Sequence, residues 1–269
     1  MRNFYIAGII SFFIAYYPVW KSLLTTWSSS DENSHGFFII PLCCYIIWQK
    51  KSILANIPKK PSLWGLILIV ISLVIYLFSS FAGIATLSSL SLLPLFAGIM
   101  IYLYGYLIFK ELLFPFFLLL FMIPVPAQIY STLTVPLQLF VSKISVGMAS
   151  LIGVPIYREG NVIHLPQRTL EVVQACSGLR SMTALLTLSI VFGYFTLKSS
   201  LLRIILFFAG VPAAIIVNIC RVSLMVLVFY HFDFDLTKGT IHTIFGLAIF
   251  ILALIIIFMI KGVLERWDK

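Results

Sequence analysis

The run IILFFAGVPAAIIVNICRVSLMVLVFY, Ile204–Tyr230, carries a single charged residue, Arg221, in 27 positions. About 20 apolar residues suffice for a helix to cross a hydrocarbon core about 30 Å thick. This stretch is therefore read as a membrane helix, and Arg221 as a polar group in an expensive place. Similar apolar runs lie on either side of it. They are Phe4–Trp20, Gly36–Trp48, Leu63–Ala82, Leu87–Phe109, Leu112–Val125, Leu133–Val154, Val173–Tyr194 and Ile241–Ile260. Gly36–Trp48 and Leu112–Val125 are short and contain Pro41 and Pro115, so nine candidate segments is an upper count.

Composition agrees with this reading. Of 269 residues 61% are hydrophobic and 10% charged, with mean hydropathy +1.10. Soluble domains carry roughly 25% charged residues, so this chain cannot cover its surface in water. No linker or low-complexity tract divides it, and residues 1–269 read as a single polytopic membrane domain. The net charge of +9 bears on orientation and not on nucleic acid. Arg2 followed by Phe4–Trp20 lacks a small-residue cleavage site and reads as a retained first span. Four cysteines, two of them adjacent at Cys43 and Cys44, form neither a disulfide framework nor a metal pattern. No metal or organic cofactor is expected.

Lysines and arginines mark cytoplasmic joints. Lys50, Lys51, Lys59 and Lys60 place Gln49–Ser62 inside, whereas Asp31 and Glu32 place the preceding joint outside. Alternation puts Lys110 inside and Pro124–Gln128 outside. Lys198, Arg203, Lys261, Arg266 and Lys269 put the joint before Ile204 and the C-terminus inside. Val173–Tyr194 must then start outside, so Leu133–Val154 enters and leaves on one side. Ser142, Lys143, Ser145 and Ser150 within it suit an interfacial helix. The expected fold is an all-α integral membrane bundle of about eight transmembrane helices, with both termini cytoplasmic. The alternation of polar and apolar residues around Gly160-Asn161, within Ile156–Gln174, adds a short outer β-hairpin. That hairpin reads equally as a connector or as a holder of an extended peptide by strand addition.

Three polar residues fall at one depth on three different helices. Cys176 is 22 residues from Lys198, Arg221 18 from Arg203, and His242 19 from Lys261. At 1.5 Å per residue these are about 33, 27 and 28 Å, so all three reach the outer boundary. Each has a plainer reading. Lone membrane cysteines are usually packing residues, as Cys43, Cys44 and Cys220 are taken to be; arginines near span ends snorkel to head groups; a histidine at a helix start is often an interface residue. Together they offer a definite chemistry. A thiolate is favoured at a helix N-terminus or beside a cation, and Arg180 sits one turn beyond Cys176. A histidine can move protons to and from the reacting groups, and an arginine can hold a tetrahedral oxyanion. Cys, His and Arg without a carboxylate is the composition of the sortase triad.

The elements Ala175-Cys176-Ser177-Gly178-Leu179-Arg180-Ser181, Asn218-x-x-Arg221-Val222 and His242 with Gly246 resemble the exosortase/archaeosortase family. So do Ser34-His35-Gly36-Phe37 and Ile40-Pro41-Leu42 within Trp27–Trp48, and Phe121-Met122-Ile123-Pro124-Val125-Pro126. The resemblance implies a membrane cysteine transpeptidase with Cys176, Arg221 and His242 as its triad. It further implies eight spans, and membrane-anchored substrates whose C-terminal sorting signal combines a Pro-Glu-Pro-type motif, one helix and a basic tail. The acceptor of the transferred chain is left open. Supporting candidates are Arg180, Asn218, Ser177 and His35, for which the reading as a helix-start residue at the interface stands ahead of catalysis. Arg180 serves either to tune Cys176 or to pair with Glu171 or a lipid phosphate. The competing functional classes are a noncatalytic polysaccharide-export or assembly subunit and a transporter. A transporter would place its polar residues at the bilayer midplane in repeated halves, and no repeat is found.

Overall fold

The structure is a computed structural model that describes residues 2–29, 33–166, 169–171, 179–237 and 239–268. The chain forms two compact units, Met1–Pro126 and Ala127–Lys269. The first is entirely helical among the described residues: α1 Arg2–Ala15, α2 Tyr17–Ser29, α3 Gly36–Gln49, α4 Lys51–Asn56, α5 Trp64–Phe81, α6 Ala85–Leu90, α7 Leu92–Tyr104, α8 Tyr106–Glu111 and α9 Leu113–Leu119, ending in a 3-10 turn at Leu120–Met122.

Several apolar runs are broken where the backbone demands it. Pro18 has no N–H to offer the preceding turn, and α1 gives way to α2 at Tyr16. Hydrogen bonds from Tyr16 N to Phe12 O and from Trp20 N to Tyr16 O carry the helix across the break. Tyr76 Oη donates to the Ala15 carbonyl there at 2.6 Å. The expected run Leu87–Phe109 ends early, because Gly105 adopts φ +93° and separates α7 from α8. A Cβ at Gly105 would lie 2.1 Å from the Lys60 carbonyl oxygen, so only glycine fits.

Helices α5 and α7 touch backbone to backbone. A Cβ on Gly65 would lie 2.3 Å from Tyr102 N, and one on Gly98 would lie 2.8 Å from the Gly65 carbonyl. Small residues permit this approach, and dispersion with interhelical hydrogen bonds holds it where lipid supplies no hydrophobic drive. The hydrogen bonds are supplied by buried hydroxyls. Tyr16 Oη meets Ser91 Oγ at 3.2 Å, Ser72 Oγ donates to the Ser91 carbonyl at 2.6 Å, and Ser79 and Ser88 pair at 2.9 Å.

Helix α3 runs antiparallel to α8 and α9, as three cross-contacts in register establish. Lys50 Nζ meets Glu111 Oε2 at 3.2 Å, Cys43 Sγ donates to the Pro115 carbonyl at 3.3 Å, and His35 Nε2 donates to the Phe121 carbonyl at 3.0 Å. Pro115 cannot bond the Glu111 carbonyl one turn back, and Lys50 Nζ takes it at 2.7 Å instead.

The second unit contains α10 Ala127–Leu151, strands β1 Tyr157–Glu159, β2 Val162–His164 and β3 Thr169–Glu171, then α11 Leu179–Thr196, α12 Ser200–Phe232 and α13 Gly239–Trp267. The strands form one antiparallel sheet in the order β1-β2-β3, with Arg158 opposite Ile163 and Ile163 opposite Leu170. It thus has one strand more than the hairpin read from the sequence. Gly160, at φ +62°, makes the first turn. Ile163 and Leu170 are buried with Val141 and Ala149 of α10 and with Val222, Val226 and Phe229 of α12, so the sheet lies on the C-terminal halves of those two helices.

Among the described residues five helical stretches are long and apolar enough to cross a membrane: Trp64–Phe81, Ala85–Tyr104 (α6 with α7), Ala127–Leu151, Ser200–Phe232 and Gly239–Trp267. Gly36–Gln49, Leu113–Met122 and Met182–Thr196 are apolar but shorter. The chain is a multi-pass membrane protein. Helix α10 begins six residues before the run Leu133–Val154 and is itself of spanning length. The Ser142 and Ser145 side chains that suggested an interfacial helix are buried, while Lys143 is exposed.

At the far end of this unit Asp268 closes the α11–α12 joint, accepting from the backbone N–H of Lys198 and, at 2.9 Å, of Ser199. These are donors at the start of α12 that the helix itself cannot satisfy. Asp268→Ala is expected to cost about 1 kcal/mol, read as a lower thermal midpoint in detergent, with Asp268→Asn losing less. An unchanged midpoint in Asp268→Ala would rule the cap out.

Candidate active site

Arg221 and His242 come together from different helices. Arg221 Nη2 lies 3.3 Å from His242 Nε2, and both side chains are half-buried. A guanidinium only donates, so His242 Nε2 is the acceptor. On the other side of the ring His242 Nδ1 lies 3.1 Å from the Leu236 carbonyl oxygen, which only accepts. The single assignment that satisfies both contacts is an imidazole protonated at Nδ1 with its lone pair on Nε2. Gly246, one turn beyond His242, lies beside the guanidinium, and a Cβ there would stand 3.5 Å from Nη2, in ordinary contact.

Arg221 has a second feature. Its Nε is buried and has no hydrogen-bond partner among the described residues. A buried donor left unpaired costs about 1–3 kcal/mol, and such groups are rare unless an acceptor arrives in function. Asn218, one turn before Arg221 on the same face of α12, is 6% exposed.

Of the remaining sequence candidates, Cys176 and Ser177 lie outside the described residues, and the side chain of Arg180, in the first turn of α11, is likewise not described. The chain enters their segment from β3 and leaves it into α11. His35 belongs to the first unit, where it donates to the Phe121 carbonyl. Beside it Trp27 Nε1 donates to the Met122 carbonyl at 2.9 Å, and Gly36 packs on the Trp27 ring so closely that a Cβ would be 2.4 Å from Nε1. Two sequence elements that both carried the family resemblance are thereby joined to each other. Cys43 is buried with the Pro115 carbonyl as its acceptor, and Cys44 is exposed on the apolar surface.

Sequence reading missed the Leu236 carbonyl as the partner of His242. The available signal was Asp235-Leu236-Thr237, a pattern in which an aspartate bonds the backbone two residues on.

The transmembrane exosortase family is matched over residues 27–259, and the chain belongs to that family. No curated protein and no solved structure matches it. Membership supports a transpeptidase-type role in the membrane, acting on membrane-targeted substrates that carry sorting signals.

Proposed function

We propose that this protein is a membrane cysteine transpeptidase in which Cys176 is the nucleophile, His242 the proton carrier and Arg221 the oxyanion donor. The observation that carries the reading is the Arg221–His242 pair: the His242 Nε2 lone pair is held by Arg221 Nη2 and becomes the base when Arg221 turns to the oxyanion, and the buried Arg221 Nε has no acceptor among the described residues. A substrate anchored by its C-terminal signal helix presents a Pro-Glu-Pro-type motif at the outer surface. His242 Nε2 takes the Cys176 thiol proton, and the thiolate attacks the scissile carbonyl. The oxyanion so formed accepts from Arg221. Its collapse expels the amine of the anchored remnant, which leaves with the proton from His242, and a thioester remains. An acceptor nucleophile then attacks the thioester, gives its proton to His242 and releases the thiolate. The acceptor is an amine, a lipid head group or a glycan-linked group.

The same reading places the sheet and the Arg221–His242 pair on the non-cytoplasmic side, because Lys198, Arg203, Lys261 and Arg266 cluster toward the opposite ends of α11, α12 and α13. In the first unit the antiparallel run of α8 and α9 beside α3 supports an inside Lys50–Glu111 end and an outside Trp27–His35 end. Helix α10 then starts and finishes outside. Reporter fusions after Pro126 and after Gly153 are expected to report the same, external compartment. Opposite compartments would make α10 a span and reverse the side assigned to one of its flanks.

The function is tested by co-expressing the protein with a secreted reporter that ends in such a signal. Loss of the basic tail together with attachment to a new acceptor is expected. A reporter that stays full length, with both proteins present in the membrane, would end the proposal.

A further inference from the structure

Imidazole has two neutral tautomers of similar stability, and only one leaves a lone pair on Nε2. In many catalytic sites a carboxylate selects it by accepting from Nδ1–H. Here the described acceptor is a backbone carbonyl, that of Leu236. A carbonyl in a loop is only as well aimed as the loop, and this loop is held at three points. Helix α12 stops because Asp233 takes the left-handed conformation, φ 50°, with its N–H still bonded to the Phe229 carbonyl at 2.9 Å. Asp235 Oδ1 accepts from both Thr237 N, at 2.8 Å, and Thr237 Oγ1. The Leu236 side chain packs into the apolar cluster beneath the sheet that includes Phe229 and Phe245. With its side chain directed into the core and its two neighbours joined by the Asp235 carboxylate, Leu236 turns its carbonyl toward His242.

We infer that Asp235 and Leu236 are positioning residues for His242: their turn fixes the Nδ1–H tautomer and so aims the Nε2 lone pair at the Arg221 side of the site. Asp235 is placed by its two bonds from Thr237. It acts through Thr237, whose two bonds to the carboxylate close the turn around Leu236. The inference rests on the proposed role of His242 for its kinetic consequence, but not for its structural one.

Two readouts separate these. Nitrogen NMR of histidine-labelled protein in nanodiscs reports the tautomer directly, and the resonance pair missing from His242→Gln identifies the residue among the four histidines of the chain. The wild type is expected to be protonated at Nδ1 and bare at Nε2. Asp235→Ala is expected to show a mixture of tautomers, and Asp235→Asn, whose amide oxygen still accepts from Thr237, the wild-type pattern. In processing assays Asp235→Ala should lower kcat about tenfold with KM unchanged, while Asp235→Asn stays within about twofold of wild type. Should Asp235→Ala fail to fold, Thr237→Val removes one of the two bonds and is expected to shift both readouts part of the way. A wild-type His242 protonated at Nε2, or variants that leave the tautomer unchanged, would overturn the inference. A fixed tautomer in a protein with no processing activity would leave the inference standing and remove the functional proposal.

Discussion

Cys176→Ala is expected to lower processing of a signal-bearing substrate by at least about a thousandfold, while substrate and protein still enter the membrane at wild-type levels. The size follows from the chemistry. Removing the nucleophile of a covalent mechanism leaves only positioning and oxyanion binding, and the members of such a unit are individually indispensable. Cys176→Ser is expected to be nearly as impaired, because an alcohol is far less ionised than a thiol near neutral pH. The comparison is made at matched expression by following the basic tail of the substrate. Full activity in Cys176→Ala would end the transpeptidase reading, whatever the family membership implies for the fold. A thiol reagent that cannot cross the membrane adds a positional check. Applied to intact cells it should label Cys176 and spare Cys43, whose thiol is buried against the Pro115 carbonyl.

Arg221→Lys is the second large effect, an expected loss of about a hundredfold or more. That is the usual scale for removing an oxyanion donor from a water-poor site. Lysine keeps the charge but replaces a planar fork of five donors with one rotatable ammonium. In this site the fork has two tasks at once: Nη2 reaches His242 Nε2 at 3.3 Å, while Nε is buried and has no acceptor among the described residues. A single ammonium cannot reproduce both directions. A head-group anchor, by contrast, would tolerate lysine, since either cation snorkels. Near-normal processing by Arg221→Lys would therefore reassign Arg221 to the membrane interface. His242→Ala complements this test, because loss of the proton carrier should slow thioester formation and its resolution together, so that no acyl-enzyme accumulates.

Much of the candidate site was legible before any coordinates. Arg221 stood out as the only charge in 27 residues, and His242 as a polar residue opening the last apolar run. Counting residues from cytoplasmic cations brought the two to a common depth, and the structure brings their side chains into contact. What the sequence hid was how each is held. The acceptor for His242 Nδ1 is a main-chain carbonyl, which every residue possesses, so the turn pattern Asp235-Leu236-Thr237 was the one local signal for Leu236. Asp268 drew no reading from the sequence, and it caps a helix that begins 68 residues earlier.

The amino-acid sequence by itself determined that this chain lives in a bilayer, since 61% hydrophobic and 10% charged residues leave no other solvent for its surface. The breaks beside Pro18 and at Gly105 fall inside Phe4–Trp20 and Leu87–Phe109, which read as unbroken runs, whereas Pro41 and Pro212 lie within continuous helices, so local backbone chemistry left the helix ends to the fold. Tertiary structure alone decided which helices meet. The antiparallel register of α3 with α8 and α9 depends on Lys50 finding the carbonyl that Pro115 released, 61 residues away. The contact of α5 with α7 depends on Gly65 and Gly98 facing each other. Lipid is as apolar as leucine and exerts no preference among apolar faces. Partners in this membrane protein are therefore chosen by shape and by a few hydrogen bonds between distant residues, and neither is written in the hydropathy of any one segment.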